Sequence, residues 1–234
     1  MTVQGGSMAR DALRACGLFG HADDATVAAL AAALRIRRFR KGETVFHQGD
    51  PGDALFIMAS GSVKVVLPSD EGAEPAIVAV LGPGEFFGEL AILDGAAHSA
   101  TIVAVEPTET LVLHRDAFLR LIDTEPELRR ALLASLATEI RRLTGHVEDL
   151  HFLDLPGRLA SRIIRLAATQ PRADDGSVRL PWPYTQSELA GMIGGSRQSV
   201  NRLLSDLVDE GLVRLERDVL IVPDHDRLAA SVVR

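Results

Sequence analysis

The chain has 234 residues, 47% of them hydrophobic and 24% charged, and a formal net charge of −7. That length and apolar content can bury the cores of two modest domains, and no run reaches the roughly 18 apolar residues of a membrane span. The single cysteine, Cys16, excludes an internal disulfide framework and any zinc or iron–sulfur site made from the cysteines of one chain. The start, MTVQGGSMARD, lacks the basic end and apolar centre of a signal peptide, so a cytoplasmic location without a membrane partner is expected. No P-loop, G-x-S-x-G or H-E-x-x-H pattern is present, and the chain is not expected to be an enzyme.

Residues 1–8 read as loose, with Met8 a second candidate start, and residues 8–34 read as short helices rich in alanine and leucine. The period then falls toward two. The runs LRIRRFR (34–40), ETVFHQ (43–48), ALFIMA (54–59), SVKVVL (62–67), AIVAVL (76–81), ATIVAV (100–105) and TLVLH (110–114) are predicted strands. Gly42, Gly49-Asp50-Pro51-Gly52, Gly61, Asp70-Glu71-Gly72 and Gly82-Pro83-Gly84 punctuate them as turns, which implies an antiparallel sandwich or roll over residues 8–125.

After Pro126 the helical period returns. Leu133, Leu136, Ile140, Leu143, Val147 and Leu150 recur at three- and four-residue steps and form a heptad seam, which a twin helix in a parallel homodimer would bury. Packing on the chain's own β domain is the alternative. Gly145 interrupts the seam at a cost of roughly 1 kcal/mol relative to alanine. Pro156-Gly157 is expected to break the helix, so residues 126–155 form the dimerisation helix and hinge, and 156–234 a separate C-terminal domain. PRADDGS (171–177) reads as an exposed connection, and Pro181-Trp182-Pro183 leads into a pair of short helices.

The stretch TQSELAGMIGGSRQSVNRLLSDL (185–207) has the residue types of a helix-turn-helix. Thr185 and Glu188 stand at capping-box spacing, Gly194-Gly195 permits a sharp turn, and Ser196 is the next N-cap. In the second helix Val200, Leu203, Leu204 and Leu207 share one face, leaving Arg197, Gln198, Asn201 and Arg202 on the other. Arginine can bond guanine O6 and N7 together, glutamine or asparagine can do the same to adenine, and Ser199 is in reach of a phosphate. LVRL (212–215) and VLIV (219–222), across Glu216-Arg217-Asp218, predict the hairpin of a winged helix. From Gly157 onward 11 basic residues face 10 acidic ones, so the acidic excess lies ahead of this domain and does not oppose double-stranded DNA as its partner.

The order of β roll, long helix and winged helix-turn-helix resembles the Crp/Fnr family of bacterial transcription regulators over nearly the whole chain. GEFFGELAILDGAAHSA (84–100) looks like that family's phosphate-binding cassette, FLDLPGRLA (152–160) like its hinge, and GGSRQSVNRLLSDL (194–207) like its recognition helix. The resemblance implies an α+β fold: an N-terminal antiparallel β-roll of the cyclic-nucleotide-binding kind, a long dimerisation helix and a C-terminal winged helix-turn-helix. It also implies an allosteric homodimer on a palindromic operator, with RNA polymerase as a further partner. By position, Arg197, Gln198 and Arg202 become base readers, with Thr185, Ser196 and Ser199 on phosphates. Gln198 replaces a family glutamate, which points to a different base preference, since an amide suits adenine and a carboxylate cytosine.

For the effector, the resemblance assigns Phe87, Gly88, Glu89, Leu90, His98, Ser99 and Ala100 of the cassette, with Leu143 and Thr144 of the long helix. Glu89 would take a ribose hydroxyl, Ser99 the cyclic phosphate and Thr144 the base. The free N–H groups of a short helix starting at Phe87-Gly88-Glu89-Leu90 would face an anion. His98, however, stands where cyclic-nucleotide binders carry arginine. Exchanging an always-charged bidentate donor for a mostly neutral ring lowers phosphate affinity by on the order of 10² to 10³. Three readings are open: weakened binding of a cyclic nucleotide such as cyclic AMP, a different effector such as cyclic di-GMP or an acidic metabolite, or no effector. A histidine could also make binding stronger at low pH, where protonation restores a positive charge. His47, His98, His114, His146 and His151 leave a haem ligand open, although ordinary structural duty is expected of isolated histidines.

Overall fold

The computed structural model describes residues 3–69, 75–168, 170–182 and 184–232. The expected turn at Asp70-Glu71-Gly72 and Pro183 lie outside the described residues. The chain divides into two compact units that part within one helix, between Ile140 and Arg141.

In the first unit, helices α1 (Val3–Ala15) and α2 (Asp24–Ala33) precede strands β1 (Arg35–Phe39), β2 (Thr44–Phe46), β3 (Ala54–Ser60), β4 (Val63–Leu67), β5 (Ala76–Leu81) and β6 (Phe86–Phe87). Next come helix α3 (Glu89–Asp94), strands β7 (Thr101–Ala104) and β8 (Thr108–His114), and helices α4 (Arg115–Thr124) and α5 (Pro126–Phe152). The strands make two four-stranded sheets, in the orders β1-β8-β3-β6 and β2-β7-β4-β5. The seven runs expected from the sequence all become strands. The two-residue β6, which pairs Phe86 and Phe87 with Ile57 and Phe56, is an addition to them, too short to leave a period.

The run ALFIMA is apolar throughout because β3 is covered on both sides. Leu55 and Ile57, with Leu111 and Leu113 of β8, face a core closed by Leu13, Phe19, Phe118, Leu128 and Leu132 of the helical segments. Their alternates Ala54, Phe56, Met58 and Val112 face the other way, onto Phe39, Val63, Phe87 and Ile102. Helix α1 begins at Val3, so the expectation of a loose segment over residues 1–8 is corrected from that point: Met8 and Ala9 pack against the first core.

The second unit holds the rest of α5, then α6 (Leu155–Ala167), β9 (Val178–Pro181), α7 (Gln186–Ile193), α8 (Arg197–Asp209), β10 (Arg214–Glu216), β11 (Val219–Val222) and α9 (His225–Ala230). The helix break falls at Leu153-Asp154, ahead of Pro156-Gly157. Pro156 sits in the first turn of α6, where a missing N–H costs nothing, and the Asp154 carboxylate caps that turn by accepting from Gly157 N at 2.9 Å. Arg158 ties this start to two helix ends, donating to the carbonyls of Leu153 at 3.0 Å, Ile193 at 3.2 Å and Leu150 at 3.3 Å. At Gly145 a β-carbon would come within 3.1 Å of the Arg165 guanidinium, the movable end of a long side chain.

Replacing Asp154 by alanine removes the α6 cap. Urea unfolding followed at Trp182, the single tryptophan, should show a loss of about 1 kcal/mol with an unchanged denaturant slope.

Candidate functional site

The helix-turn-helix forms as its caps dictate. Thr185 Oγ1 accepts from Glu188 N at 3.2 Å while Glu188 Oε2 accepts from Thr185 N at 2.9 Å, closing the capping box on α7. Gly194 ends α7 with φ at +70°, a left-handed conformation that glycine adopts without strain. Ser196 then starts α8, its hydroxyl accepting from Ser199 N at 3.1 Å.

Val200, Leu203 and Leu204 are buried against the unit, and Leu207 is half-buried. Arg197, Gln198, Asn201 and Arg202 are exposed on α8, with Ser199 half-buried beside them. Asn201 is held from α7, since Gln186 Nε2 donates to its Oδ1 at 2.6 Å. The first two turns therefore present two guanidiniums and two amides from a helix that three apolar residues keep in register. Strands β10 and β11 form the expected hairpin, joined by β9 into one sheet in the order β10-β11-β9. Strand β9 and the terminal α9 go beyond the elements expected from the sequence. Arg217 turns the hairpin with φ at +49°.

In the first unit the cassette runs from β6 through α3 to β7. Phe87 is buried between the sheets, stacked on Phe56 with ring centroids 5.1 Å apart. Gly88 caps α3 at φ +90°, where any side chain would press on the Ala54 carbonyl at 2.8 Å. Glu89 opens α3; burial raises its carboxyl pKa and the Glu139 carboxylate pushes the same way, while its own backbone N–H opposes them. A carboxyl held toward its neutral form can donate as well as accept a hydrogen bond, which suits a hydroxyl partner. Leu90 and Ser99 are exposed and Ala100 is buried. Leu143 and Thr144, both exposed, lie on α5 beyond Ile140 and belong to the second unit.

His98 is not a free cation on this surface. It is 7% exposed and stacks on Phe46, with ring centroids 3.5 Å apart and planes within 6°. Its backbone is clamped to the preceding turn, Gly49 N donating to His98 O and His98 N to Asp50 O, each at 2.9 Å. Gly52 makes the room: a β-carbon there would come within 2.8 Å of the imidazole Cε1. Burial lowers the imidazole pKa against the pull of the Asp50 and Asp53 carboxylates. Neither Phe46 nor Gly52 carries a signal in the sequence, where Gly49 to Gly52 reads only as a turn.

A winged helix-turn-helix with an arginine-bearing second helix, following in the chain a roll with a phosphate-cassette motif, defines the class of DNA-binding transcription regulators built on a cyclic-nucleotide-binding-type roll. Residues 36–125 match the cyclic nucleotide-binding domain family and residues 157–231 the Crp-like helix-turn-helix domain family. The chain is 35% identical over 217 residues to a CRP-like cAMP-activated global transcriptional regulator of Mycobacterium tuberculosis, an alignment covering 93% of this chain and 96% of that one. It is 37% identical over 179 residues to the cyclic AMP receptor protein of Thermus thermophilus, covering 76% and 79% of the two chains. The fold is shared with FixK2 from Bradyrhizobium japonicum, at a TM-score of 0.76 and 19% identity over 86% of this chain and 98% of that one. The protein belongs to the Crp/Fnr family of transcription regulators. No described helix is long and apolar enough to cross a membrane.

The buried imidazole has a pH signature. Its folded pKa lies below the unfolded value, so its contribution is present above about pH 6.5 and is lost as the pH falls toward the folded pKa. Thermal melts by circular dichroism between about pH 7.5 and 5.5 should show the wild type weakening more on acidification than His98→Phe, which keeps the stacked ring without the proton site.

Proposed function

We propose that this protein is a homodimeric, sequence-specific transcription regulator whose DNA binding is modulated by a cyclic nucleotide or related small anion in the β roll. The effector domain would span residues 8–125, the dimerisation helix and hinge 126–155, and the DNA-binding domain 156–234. The observation that carries the reading is α8, with Arg197, Gln198, Asn201 and Arg202 exposed over a buried Val200, Leu203 and Leu204. Arg197, Gln198 and Arg202 would read base edges, and Thr185, Ser196 and Ser199 would hold phosphates.

Dimerisation is supported by the exposed apolar residues of α5. Leu133 is 62%, Ile140 64% and Val147 64% exposed, with Leu143 and Leu150 also open, whereas Leu136 leans on the first core. A second copy of the helix would cover them, and the resulting two-fold axis would pair two recognition helices on a palindromic operator. RNA polymerase would be the partner through which the bound dimer acts.

For the effector, the cassette match and the half-buried carboxyl of Glu89 favour a hydroxyl-bearing cyclic nucleotide, and the mycobacterial and Thermus relatives are cAMP-responsive by name. Glu89 would bond the sugar, Ser99 and the amides after Gly88 the phosphate, and Thr144 the base. His98, neutral and stacked, would add no charge to the phosphate, and that observation favours a second reading in which DNA binding is independent of an effector.

Titration calorimetry of the nucleotide-stripped dimer with cyclic AMP, cyclic GMP and cyclic di-GMP tests the pocket. Weak wild-type binding to cyclic AMP, tightened on the order of 10² to 10³ by His98→Arg, is the expected result. Silence from both proteins toward all three nucleotides would leave the effector-independent reading. On the DNA side, Arg202→Ala should cost about 1 to 3 kcal/mol on the specific operator and far less on random DNA in gel-shift competition. Equal losses on both would remove Arg202 from the base readers.

A further inference from the structure

In the second unit, α5, α6 and α7 enclose a crevice of about 30 Å³. A buried water needs roughly 10 to 15 Å³ of such space, so the crevice has room for a water or a single small ion. Among the described residues its polar lining is basic apart from Asp149: Arg142, which has a partner of its own, Arg158, Arg162, Arg165 and His146. The carboxylate is already committed. Arg165 Nη2 donates to it, and Ser161 Oγ donates to Asp149 Oδ2 at 3.0 Å. Arg158 spends three of its five N–H donors on the carbonyls of Leu150, Leu153 and Ile193, which carry no formal charge to balance its own. Arg162 is left over: its Nε is enclosed and has no hydrogen-bond partner.

A buried N–H with an unmade hydrogen bond carries an uncompensated desolvation cost, and such groups are normally paired. Burial lowers the Arg162 pKa, with Arg142 and Arg165 adding to it against Tyr184. Burial likewise lowers that of His146, followed by the charges of Arg162 and Arg142. Burial leads both shifts, and the neighbouring guanidiniums add to it.

We infer that this crevice is an anion site, taking one compact inorganic anion, either chloride or one oxygen of phosphate or sulfate, on Arg162 Nε. The anion accepts the unmade hydrogen bond and offsets the surrounding cations. Because α5 and α6 flank the break at Leu153-Asp154, an occupied site clasps the two helices across it. Inorganic anion then sets the rigidity of the DNA-binding unit, by a route separate from any effector in the β roll.

The test is thermal unfolding of the full-length protein, read at Trp182 in the same unit. Ionic strength is held constant with a bulky organic buffer anion that is exchanged stepwise for chloride, phosphate or sulfate. Wild type should show a saturable rise in Tm of about 2 to 5 °C with at least one of the three, and the anion that saturates at the lowest concentration identifies the occupant. Arg162→Met should melt higher than wild type in the organic buffer, having lost the unpaired charge, and should show no rise. Arg162→Lys, which keeps the charge without the Nε donor, should need about tenfold more anion for its half-maximal rise. A wild type indifferent to all three anions, a rise of equal size in Arg162→Met, or an unchanged midpoint in Arg162→Lys would overturn the proposal.

Discussion

Helix α5 carries more apolar surface than its own chain covers, and the organisation of the molecule turns on that imbalance. Leu128 and Leu132 disappear into the first core, where they meet Phe118 and the outer side of β3 and β8. Further along, Leu133, Ile140 and Val147 stay open to solvent. A helix of 27 residues with one stripe buried by its own roll and another left bare is anchored at its start and available along its length. The hydrophobic effect supplies the reason to cover the bare stripe, at roughly 1.5 to 3 kcal/mol for each large side chain fully buried.

The two units solve different problems with side chains. In the roll, packing takes precedence over charge at the cassette: the ring of His98 lies flat on Phe46 in space that Gly52 leaves open, and a buried neutral imidazole takes the place of a solvated cation. In the DNA-binding unit, caps take precedence. Thr185, Ser196 and Asp154 cap the starts of α7, α8 and α6, and Arg158 donates to carbonyls at the ends of α5 and α7. The Ser196 cap fixes where α8 starts, and its exposed side chains are set by the helix backbone and, for Asn201, by the bond from Gln186.

Much of this is legible in the residues. The strand runs, the capping box at Thr185 and Glu188, the glycine turn at Gly194 and the outward set Arg197, Gln198, Asn201 and Arg202 depend on period and on bonds between near neighbours in the chain. Such interactions are the same in any fold that forms the element, and the structure reproduces them at those residues. The differences fall where a local rule meets a local competitor. Pro156-Gly157 looks like a break but lies inside a first turn, since proline is compatible with that position when an aspartate two residues earlier supplies the cap. Strands β6 and β9 are too short or too near a turn to show a period.

The sequence by itself therefore determined the order of the longer elements, the helix-turn-helix and the presence of a histidine at the cassette's arginine position. Only the tertiary structure decided what that histidine does, since its neighbours Phe46 and Gly52 come from about fifty residues earlier and reach it through the pairing of β2 with β7 and the turn before β3. The unpaired Nε of Arg162 and the clasp of Arg158 on Ile193 are likewise invisible in one dimension. Burial and charge balance are sums over everything within a few ångströms, and for these side chains most of that neighbourhood is remote in the chain.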